Sequence, residues 1–257
     1  LMIVGVLSTA MAEKMFTVVT VPDTQRGLNN IAPMFEWIGQ NKSLLNVVAV
    51  VSMGDMTDNN SDHWIPVEDA YNNVLWGKYQ IPFVPCMGNH DSLRIYGPPN
   101  WPDARGMQNV FPKSLLDNHF GMITGTMEGT TENADYEFSC YGIKVKMVTI
   151  ADYEYADGRN ARINYAKDVF SQLADDDIGI FTPHDPSWRD SFNNTAPGLD
   201  FMMSGHFGNE ATHTQYGNFK FWMTGHYYLD GNEDFRSRAI QYTFYPDQNK
   251  VTIQEIV

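Results

Sequence analysis

Short apolar runs alternate with amphipathic stretches in the first ninety residues of the chain. Three runs, at residues 16–21, 47–53 and 81–87, are mostly apolar, and polar or glycine residues follow each of them. Apolar runs of this length are typical of strands that are buried on both faces of a parallel sheet. The stretches between them place apolar residues at helical spacing, as in Leu28, Ile31, Phe35 and Ile38. The order strand, helix, strand, helix, strand predicts an α/β fold.

Strand-like runs return after a long segment rich in Gly, Pro, Asn and Trp. That segment, residues 92–133, has little periodicity and is predicted to be a partly helical loop region. Two strands are predicted around Tyr141-Gly142, and short strands at residues 178–182 and 201–204. The tail is predicted to form antiparallel strands, with a turn at residues 246–249; their ranges are 219–224, 238–245 and 251–256.

The composition favours one large domain. The chain has 257 residues, 43% of them hydrophobic, which is sufficient for one sizeable core. The formal net charge is −14 and no basic stripe offsets it, so nucleic-acid binding is not expected. An acidic protein that handles phosphate needs positive charge at its site, and a bound metal ion is the usual source. The two cysteines, Cys86 and Cys140, are predicted to be buried free thiols.

The first twelve residues have the pattern of a truncated signal peptide. An apolar run is followed by small residues, and Ala10-Met11-Ala12 matches the small-x-small pattern that signal peptidase reads. We therefore expect residues 1–12 to be a processing segment and residues 13–257 to form a single domain. The mature protein is then expected to be secreted or periplasmic, without a stable membrane anchor. The alternative is a buried first strand that runs straight into residues 16–21.

Polar residues follow five predicted strands, at the point where each strand ends. The segments are Asp23-Thr24-Gln25, Gly54-Asp55, Gly88-Asn89-His90-Asp91, His184 and Gly205-His206. Taken singly, a Gly-Asp after a strand is usually a turn, and a lone histidine is usually structural. Together these segments offer carboxylate, amide and imidazole groups, which suit Mn, Fe or Zn. Because the ends of parallel strands meet at one edge of a sheet, the pattern predicts a metal site there.

The order and spelling of these motifs resemble the calcineurin-like metallophosphoesterases. That family has Asp-x-His, Gly-Asp-x-x-Asp, Gly-Asn-His-Asp/Glu, an isolated His and Gly-His-x-His. The second and last motifs here are Gly54-Asp55-Met56-Thr57-Asp58 and Gly205-His206-Phe207-Gly208. The resemblance runs from about Phe16 to the C-terminus, and the first motif matches a branch with Asp-x-Gln. It implies a four-layer αββα sandwich of two mixed β-sheets flanked by helices.

The resemblance also implies a role for each matched residue. Asp55 would bridge two divalent metal ions; one site would be completed by Asn89, His184 and His206, and the other by Asp23 and Gln25. His90 would contact the scissile phosphate and assist the leaving oxygen, and Asp91 would orient the His90 ring. A metal-bound hydroxide would be the nucleophile.

The sequence departs from the family pattern at two residues of the same metal site. Gln25 stands where a His is usual, and Gly208 stands where the last His is expected. The site with His184 and His206 would be complete and would suit Mn, Fe or Zn. Its depleted neighbour would bind Mn or Mg more weakly. His213 or His226 could replace the missing imidazole; a solvated or outer position for each is the simpler interpretation.

These motifs predict hydrolysis of phosphomonoesters or phosphodiesters, with a small phosphorylated substrate. Besides Asn89 and His90, aromatic residues beside the motif loops are candidates for substrate contact, with core packing as the alternative; they are Tyr96, Trp101, Trp188, Tyr227 and Tyr228. Arg94 and Arg189 are weaker candidates for phosphate contact, and His63 and His119 are expected to be structural. A second hypothesis is a degenerate relative that binds one metal ion and a ligand without catalysis. A purely structural secreted domain would leave the five polar strand ends unexplained.

Overall fold

The computed structural model describes residues 13–91, 106–127, 129–151, 158–192, 196–206, 212–214, 221–224 and 239–255. The described residues of the first half form four strands and five helices: β1 (Phe16–Val21), α1 (Ile31–Gln40), α2 (Lys42–Leu45), β2 (Val47–Ser52), α3 (Trp64–Ala70), β3 (Phe83–Val84), α4 (Met107–Val110), α5 (Lys113–Phe120) and β4 (Ile123–Thr126). A π-helical turn, Tyr71–Leu75, extends α3, and 3-10 turns cover Leu28–Asn30 and Ser61–His63.

The second half contributes most of the strands. They are β5 (Ala134–Cys140), β6 (Ile143–Ile150), β7 (Ile178–Pro183), β8 (Phe201–Met203), β9 (Thr212–Thr214), β10 (Phe221–Thr224), β11 (Ile240–Tyr245) and β12 (Lys250–Glu255). Helix α6 (Arg159–Phe170) precedes β7, and 3-10 turns cover Pro186–Ser191 and Pro246–Gln248.

The described strands form two mixed sheets. The first has five strands in the order β12-β11-β1-β2-β3, with β1, β2 and β3 parallel and the β11–β12 pair antiparallel. The second has seven strands in the order β4-β5-β6-β7-β8-β10-β9, with a parallel centre from β6 to β10. This architecture confirms the predicted pair of mixed sheets flanked by helices.

The inner faces of the two sheets pack against each other. Phe16 of β1 meets Phe138 of β5 edge-on at 6.3 Å, and Phe201 of β8 meets Phe244 of β11 at 5.5 Å between ring centroids. Every residue of β1 is buried, which explains why its sequence is mostly apolar and does not alternate with exposed polar residues. A second hydrophobic cluster covers the outer face of the seven-strand sheet, under α6.

Some predicted elements differ from the observed ones. The run at 81–87 forms only the two-residue strand β3, because Pro82 and Pro85 on either side have no N–H for a strand ladder. Strand β10 lies in the seven-strand sheet, between β8 (parallel) and β9 (antiparallel), so of the three predicted tail strands only β11 and β12 pair with each other. The predicted loop region includes two helices and β4, which pairs with β5.

Both cysteines are free thiols, as predicted. Cys86 is fully buried, and its Sγ donates to the Thr182 carbonyl oxygen at 3.2 Å, whereas Cys140 is only half-buried. Within the described ranges no helix is long and apolar enough to cross a bilayer. Residues 1–12 lie outside those ranges, so the processing segment stays a prediction.

Candidate metal centre

Strand ends from both sheets deliver polar side chains to one place. Asp23 and Asp55 follow β1 and β2 of the five-strand sheet, and His184 and His206 follow β7 and β8 of the seven-strand sheet. The site therefore lies beyond the carboxyl ends of parallel strands, where polar side chains of an α/β sheet usually converge.

Three of the predicted ligands form a tight group. Asp55, His184 and His206 each offer one ligand atom, and these atoms lie within 4.8 Å of one another. The Oδ2 atom of Asp55 is 3.2 Å from Nε2 of His184, and that nitrogen is 3.1 Å from Nδ1 of His206. Asp55 and His184 are almost fully buried. A trio of this kind, with carboxylate and imidazole ligands, suits a transition-metal ion.

The tautomer of His184 points to a cation in this group. Nδ1 of His184 lies 2.7 Å from the Met53 carbonyl oxygen, which can only accept, so Nδ1 carries the proton. In the neutral ring, Nε2 then has a lone pair that faces a carboxylate oxygen of Asp55 at 3.2 Å. Two acceptors at that distance repel each other unless a cation or a proton lies between them. A metal-ligating histidine usually donates the N–H of its other ring nitrogen to a carbonyl or carboxylate oxygen, as His184 does to Met53.

Three more predicted ligands have buried oxygen atoms with no hydrogen-bond partner among the described residues. They are both carboxylate oxygens of Asp23, Oε1 of Gln25 and Oδ1 of Asn89. Nε2 of Gln25 lies 3.5 Å from Oδ2 of Asp55, and Oδ1 of Asp23 lies 3.9 Å from Nδ1 of His184. Unpaired buried acceptors are costly, and a metal ion would satisfy them. These residues therefore fit divalent metal ions.

Burial and neighbouring charge shift the pKa values of the ligands. Burial raises the pKa of the Asp23 carboxyl well above its usual range, and the nearby Asp55 charge adds to this. Burial opposes ionisation of Asp55 as well, but the charge and hydrogen bond of His184, when that ring is protonated, and the His90 backbone N–H hold the Asp55 pKa below the usual value. Burial lowers the pKa of His206, so its ring is neutral near pH 7 and can ligate a metal.

Glycines at the strand ends make room for these ligands. A Cβ atom on Gly88 would lie 2.2 Å from Oδ1 of Asp55, and one on Gly54 would lie 2.5 Å from Nδ1 of His184. Gly54 also has φ = +94°, in the region that other residues rarely adopt. The glycines of the two motifs are therefore required by close approach to the ligands.

His90 lies beside the cluster, on the loop after β3. Its backbone N–H donates to Oδ1 of Asp55 at 2.9 Å, and its Nδ1 is 2.7 Å from Oδ1 of Asp58. The carboxylate at the His90 ring is thus that of Asp58, whose only sequence signal was its place as the last residue of the Gly-Asp-x-x-Asp motif. Its contact depends on two loops from neighbouring strands, which sequence spacing does not specify.

Asp91 does not have the position that was predicted for it. Its carboxylate accepts from the backbone N–H and the hydroxyl of Thr57 at 2.8 and 3.1 Å, and from the Gly88 N–H at 3.0 Å. Asp91 therefore ties the loop after β2 to the loop after β3 and does not orient the His90 ring. Burial and the charge of Asp55 raise the pKa of Asp91 to about 7.

Trp188 is also placed differently from the prediction. Its side chain is only 1% exposed and belongs to the cluster under α6, and Arg159 covers its ring at 4.3 Å. The core-packing alternative is therefore correct for Trp188 in this structure. Its chain position after His184 could not distinguish a residue that faces the site from one that faces the core.

The two histidines expected to be structural have protein partners. His119 stacks on Trp76 at 4.4 Å and meets the Tyr71 hydroxyl at 2.8 Å, and His63 accepts the Asp58 N–H at 3.3 Å. The other candidates lie outside the described residues or side chains: Arg94, Tyr96, Trp101, Arg189, Gly208, His213, His226, Tyr227 and Tyr228.

Residues 16–228 match the model of the calcineurin-like phosphoesterase family. A search of curated proteins finds no match.

Several solved structures have a similar fold. A dimetal phosphatase from Danio rerio is 11% identical, with a TM-score of 0.57, covering 95% of this chain and all of that one. The TT1561 protein of Thermus thermophilus gives the same identity and coverage, with a TM-score of 0.54. The NAD nucleotidase of Haemophilus influenzae is 9% identical, with a TM-score of 0.53, covering 93% of this chain but only 49% of that one. At these identities the likeness concerns the fold alone. The family match extends over most of the chain, and the chain belongs to the calcineurin-like phosphoesterase family.

Proposed function

We propose that this protein is a metal-dependent hydrolase of a small phosphorylated substrate, a phosphomonoester or a phosphodiester. One observation carries the proposal: the acceptor atoms of Asp55, His184 and His206 converge, with the His90–Asp58 pair directly beside them. Members of the family bind divalent metal ions, and the unpaired oxygens of Asp23 and Asn89 extend the same donor set.

The ligands divide into two groups around Asp55. His184, His206 and Asn89 would hold one ion with mixed nitrogen and oxygen ligands, which suits Mn, Fe or Zn. Asp23 and Gln25 would hold a second ion with oxygen ligands, which suits Mn or Mg. Divalent ions held there would supply Lewis acidity toward the phosphate oxygens and would lower the pKa of a coordinated water.

The protein's own proton donor in this proposal is His90. A carboxylate can only accept, so the 2.7 Å contact with Asp58 places a proton on Nδ1 of His90. Nε2 is then the nitrogen that can hold a proton for the leaving oxygen of the substrate. The backbone bond from His90 to Asp55 keeps this ring next to the metal ligands.

The test is hydrolysis of an aryl phosphate ester and an aryl phosphodiester after chelation and return of Mn²⁺. We expect turnover that depends on added metal and falls at least a hundredfold in His90→Ala. The matched control is His119→Gln, which changes a histidine of α5 that stacks on Trp76. Activity of the wild type no higher than that of His90→Ala, with any divalent metal, would contradict the proposal.

Metal counting on the same preparations tests the non-catalytic alternative. Among the described residues, the site at Asp23 and Gln25 offers only oxygen ligands. Whether it holds an ion therefore distinguishes the hydrolase from a protein that binds metal without catalysis. Two ions per chain under excess Mn²⁺, together with turnover, support the hydrolase. One tightly held ion with no turnover identifies a binding protein instead.

A further inference from the structure

Asn59 contacts His90 through both its backbone and its side chain. The Asn59 N–H donates to the His90 carbonyl oxygen at 2.9 Å, and the side-chain amide lies 2.8 Å from Nδ1 of the His90 ring. Asn59 has φ = +51°, a left-handed conformation that asparagine tolerates better than most residues. This conformation brings the backbone and the amide of one residue onto the same histidine.

The Asn59 amide and the Asp58 carboxylate both contact Nδ1 of His90. The two contacts are compatible only if the amide turns its oxygen toward that nitrogen. Oδ1 of Asp58 is 2.7 Å from Nδ1 of His90, so that nitrogen carries a proton. The amide nitrogen of Asn59 cannot donate to a protonated nitrogen, but its oxygen can accept from it.

The oxygen and the nitrogen of an asparagine amide exchange places when the amide rotates by half a turn. As placed, Oδ1 of Asn59 is buried and has no hydrogen-bond partner among the described residues. Rotation of the amide turns this oxygen toward the His90 N–H, which is a donor, and moves the amide NH2 to the position that the oxygen leaves. The proton on Nδ1 of His90 therefore favours the rotated amide.

We propose that Asn59 is a positioning residue for His90, with its amide oxygen and the Asp58 carboxylate sharing the Nδ1 proton. The catalytic consequence rests on the proposed function, because it concerns the delivery of a proton from Nε2 of His90. Two acceptors on the Nδ1–H hold the ring in one orientation and keep Nδ1 protonated, so that Nε2 is the nitrogen that gains and releases the second proton. Loss of one acceptor allows the ring to rotate and weakens proton transfer to the substrate.

Asn59→Gly is the sharpest variant, since glycine keeps the left-handed backbone and removes only the side chain. Asn59→Asp is the conservative variant, because it keeps an acceptor oxygen at the same position. The matched control is Asn249→Gly, which changes another left-handed asparagine (φ = +48°) in the turn before β12.

The first readout is the ¹⁵N NMR spectrum of the histidine rings in protein loaded with diamagnetic Zn²⁺ or Mg²⁺. We expect the His90 ring to be protonated at Nδ1 in the wild type. In Asn59→Gly that signal should broaden or move toward a tautomer mixture, while Asn59→Asp and Asn249→Gly should keep it. An unchanged His90 signal in Asn59→Gly, or its loss in Asn59→Asp, would overturn the proposal. This result does not depend on turnover, so it remains decisive if the proposed hydrolysis fails.

The second readout separates positioning from general loss of structure. For an ester with a poor alkyl leaving group, which needs a proton, kcat of Asn59→Gly should fall about tenfold with KM changed less than twofold. For a nitrophenyl ester, whose leaving group needs little help, kcat should fall less than threefold. An equal fall for both esters would contradict a role in positioning His90.

Discussion

Nδ1 of His184 donates to the carbonyl oxygen of Met53 at 2.7 Å, so the chain after β2 of one sheet orients a histidine that follows β7 of the other. This bond leaves Nε2 as the nitrogen that can bind a metal ion. The geometry of the site thus depends on how closely the two sheets approach each other, and its glycines should be sensitive to substitution.

Gly88→Ala should weaken metal binding at least tenfold. The added Cβ would lie 2.2 Å from Oδ1 of Asp55 and would displace that carboxylate. Calorimetric titration of chelated protein with Mn²⁺ measures the change. Gly106→Ala is the control, since a Cβ there meets nothing within 4 Å. Equal affinity in Gly88→Ala and the wild type would show that Asp55 is not a ligand.

Asp23→Asn should stabilise the metal-free protein by about 1–2 kcal/mol and reduce the stabilisation that metal provides. Asp23 is 1% exposed, its oxygens have no partner among the described residues, and burial raises the pKa of its carboxyl. A neutral amide removes the cost of that buried charge but binds a divalent ion less well. Urea unfolding with and without Mn²⁺ gives both quantities. Lower stability of the metal-free variant would refute this account.

Asp135→Asn should make the protein less stable at pH 7 but less sensitive to acid. Asp135 accepts from Lys146 at 2.8 Å, from Tyr165 at 2.5 Å and from Thr124. Burial opposes ionisation, but these bonds hold the pKa of Asp135 below its usual value of 3.8. The stability from the ionised form is therefore present above pH 3.8 and is lost as the pH falls through the folded-state pKa.

The expected difference in free energy of unfolding between wild type and Asp135→Asn is about 2–3 kcal/mol at pH 7. It should shrink as the pH falls below 3.8, the usual value for the carboxyl. Denaturant unfolding from pH 7 to pH 3 measures it, with the exposed Asp176→Asn as control. A difference that stays constant over this range would rule out the ionised carboxylate as its source.

Trp188→Phe should lower stability by about 1–3 kcal/mol without changing KM for any phosphate ester. The side chain is buried in the cluster under α6 and is covered by Arg159. Trp64→Phe, in the main core, is the matched comparison. A change of KM several times larger than for Trp64→Phe would mean that Trp188 contacts the substrate after all.

The fold class and the place of the site could be predicted because both follow from local patterns. The apolar runs of β1 and β2 and the polar residues after them specify buried parallel strands with a site at their ends. The two-sheet architecture was predicted from the family resemblance of the motifs, because the periodicity of apolar residues alone does not predict it. The predicted length of β3 was too great, because Pro82 and Pro85 interrupt its hydrogen-bond ladder. Both prolines are visible in the sequence.

The contacts of Asp91, Asp58 and Trp188 could not be predicted in the same way. Asp91 and His90 are neighbours in sequence, but the backbone turns the Asp91 side chain toward Thr57. Asp58 reaches His90 from a different loop. Tertiary packing decides which of two neighbouring side chains faces the site. The spacing of residues in the sequence carries no information about that packing.

The ligand set spans the boundary between the two sheets. Asp55 follows β2 of the five-strand sheet, and His184 and His206 follow strands of the seven-strand sheet. An ion bound by all three is a cross-link that must be broken before the layers can separate. Metal loading should therefore slow unfolding more than it speeds folding, and the lifetime of the native protein becomes a measure of ion release.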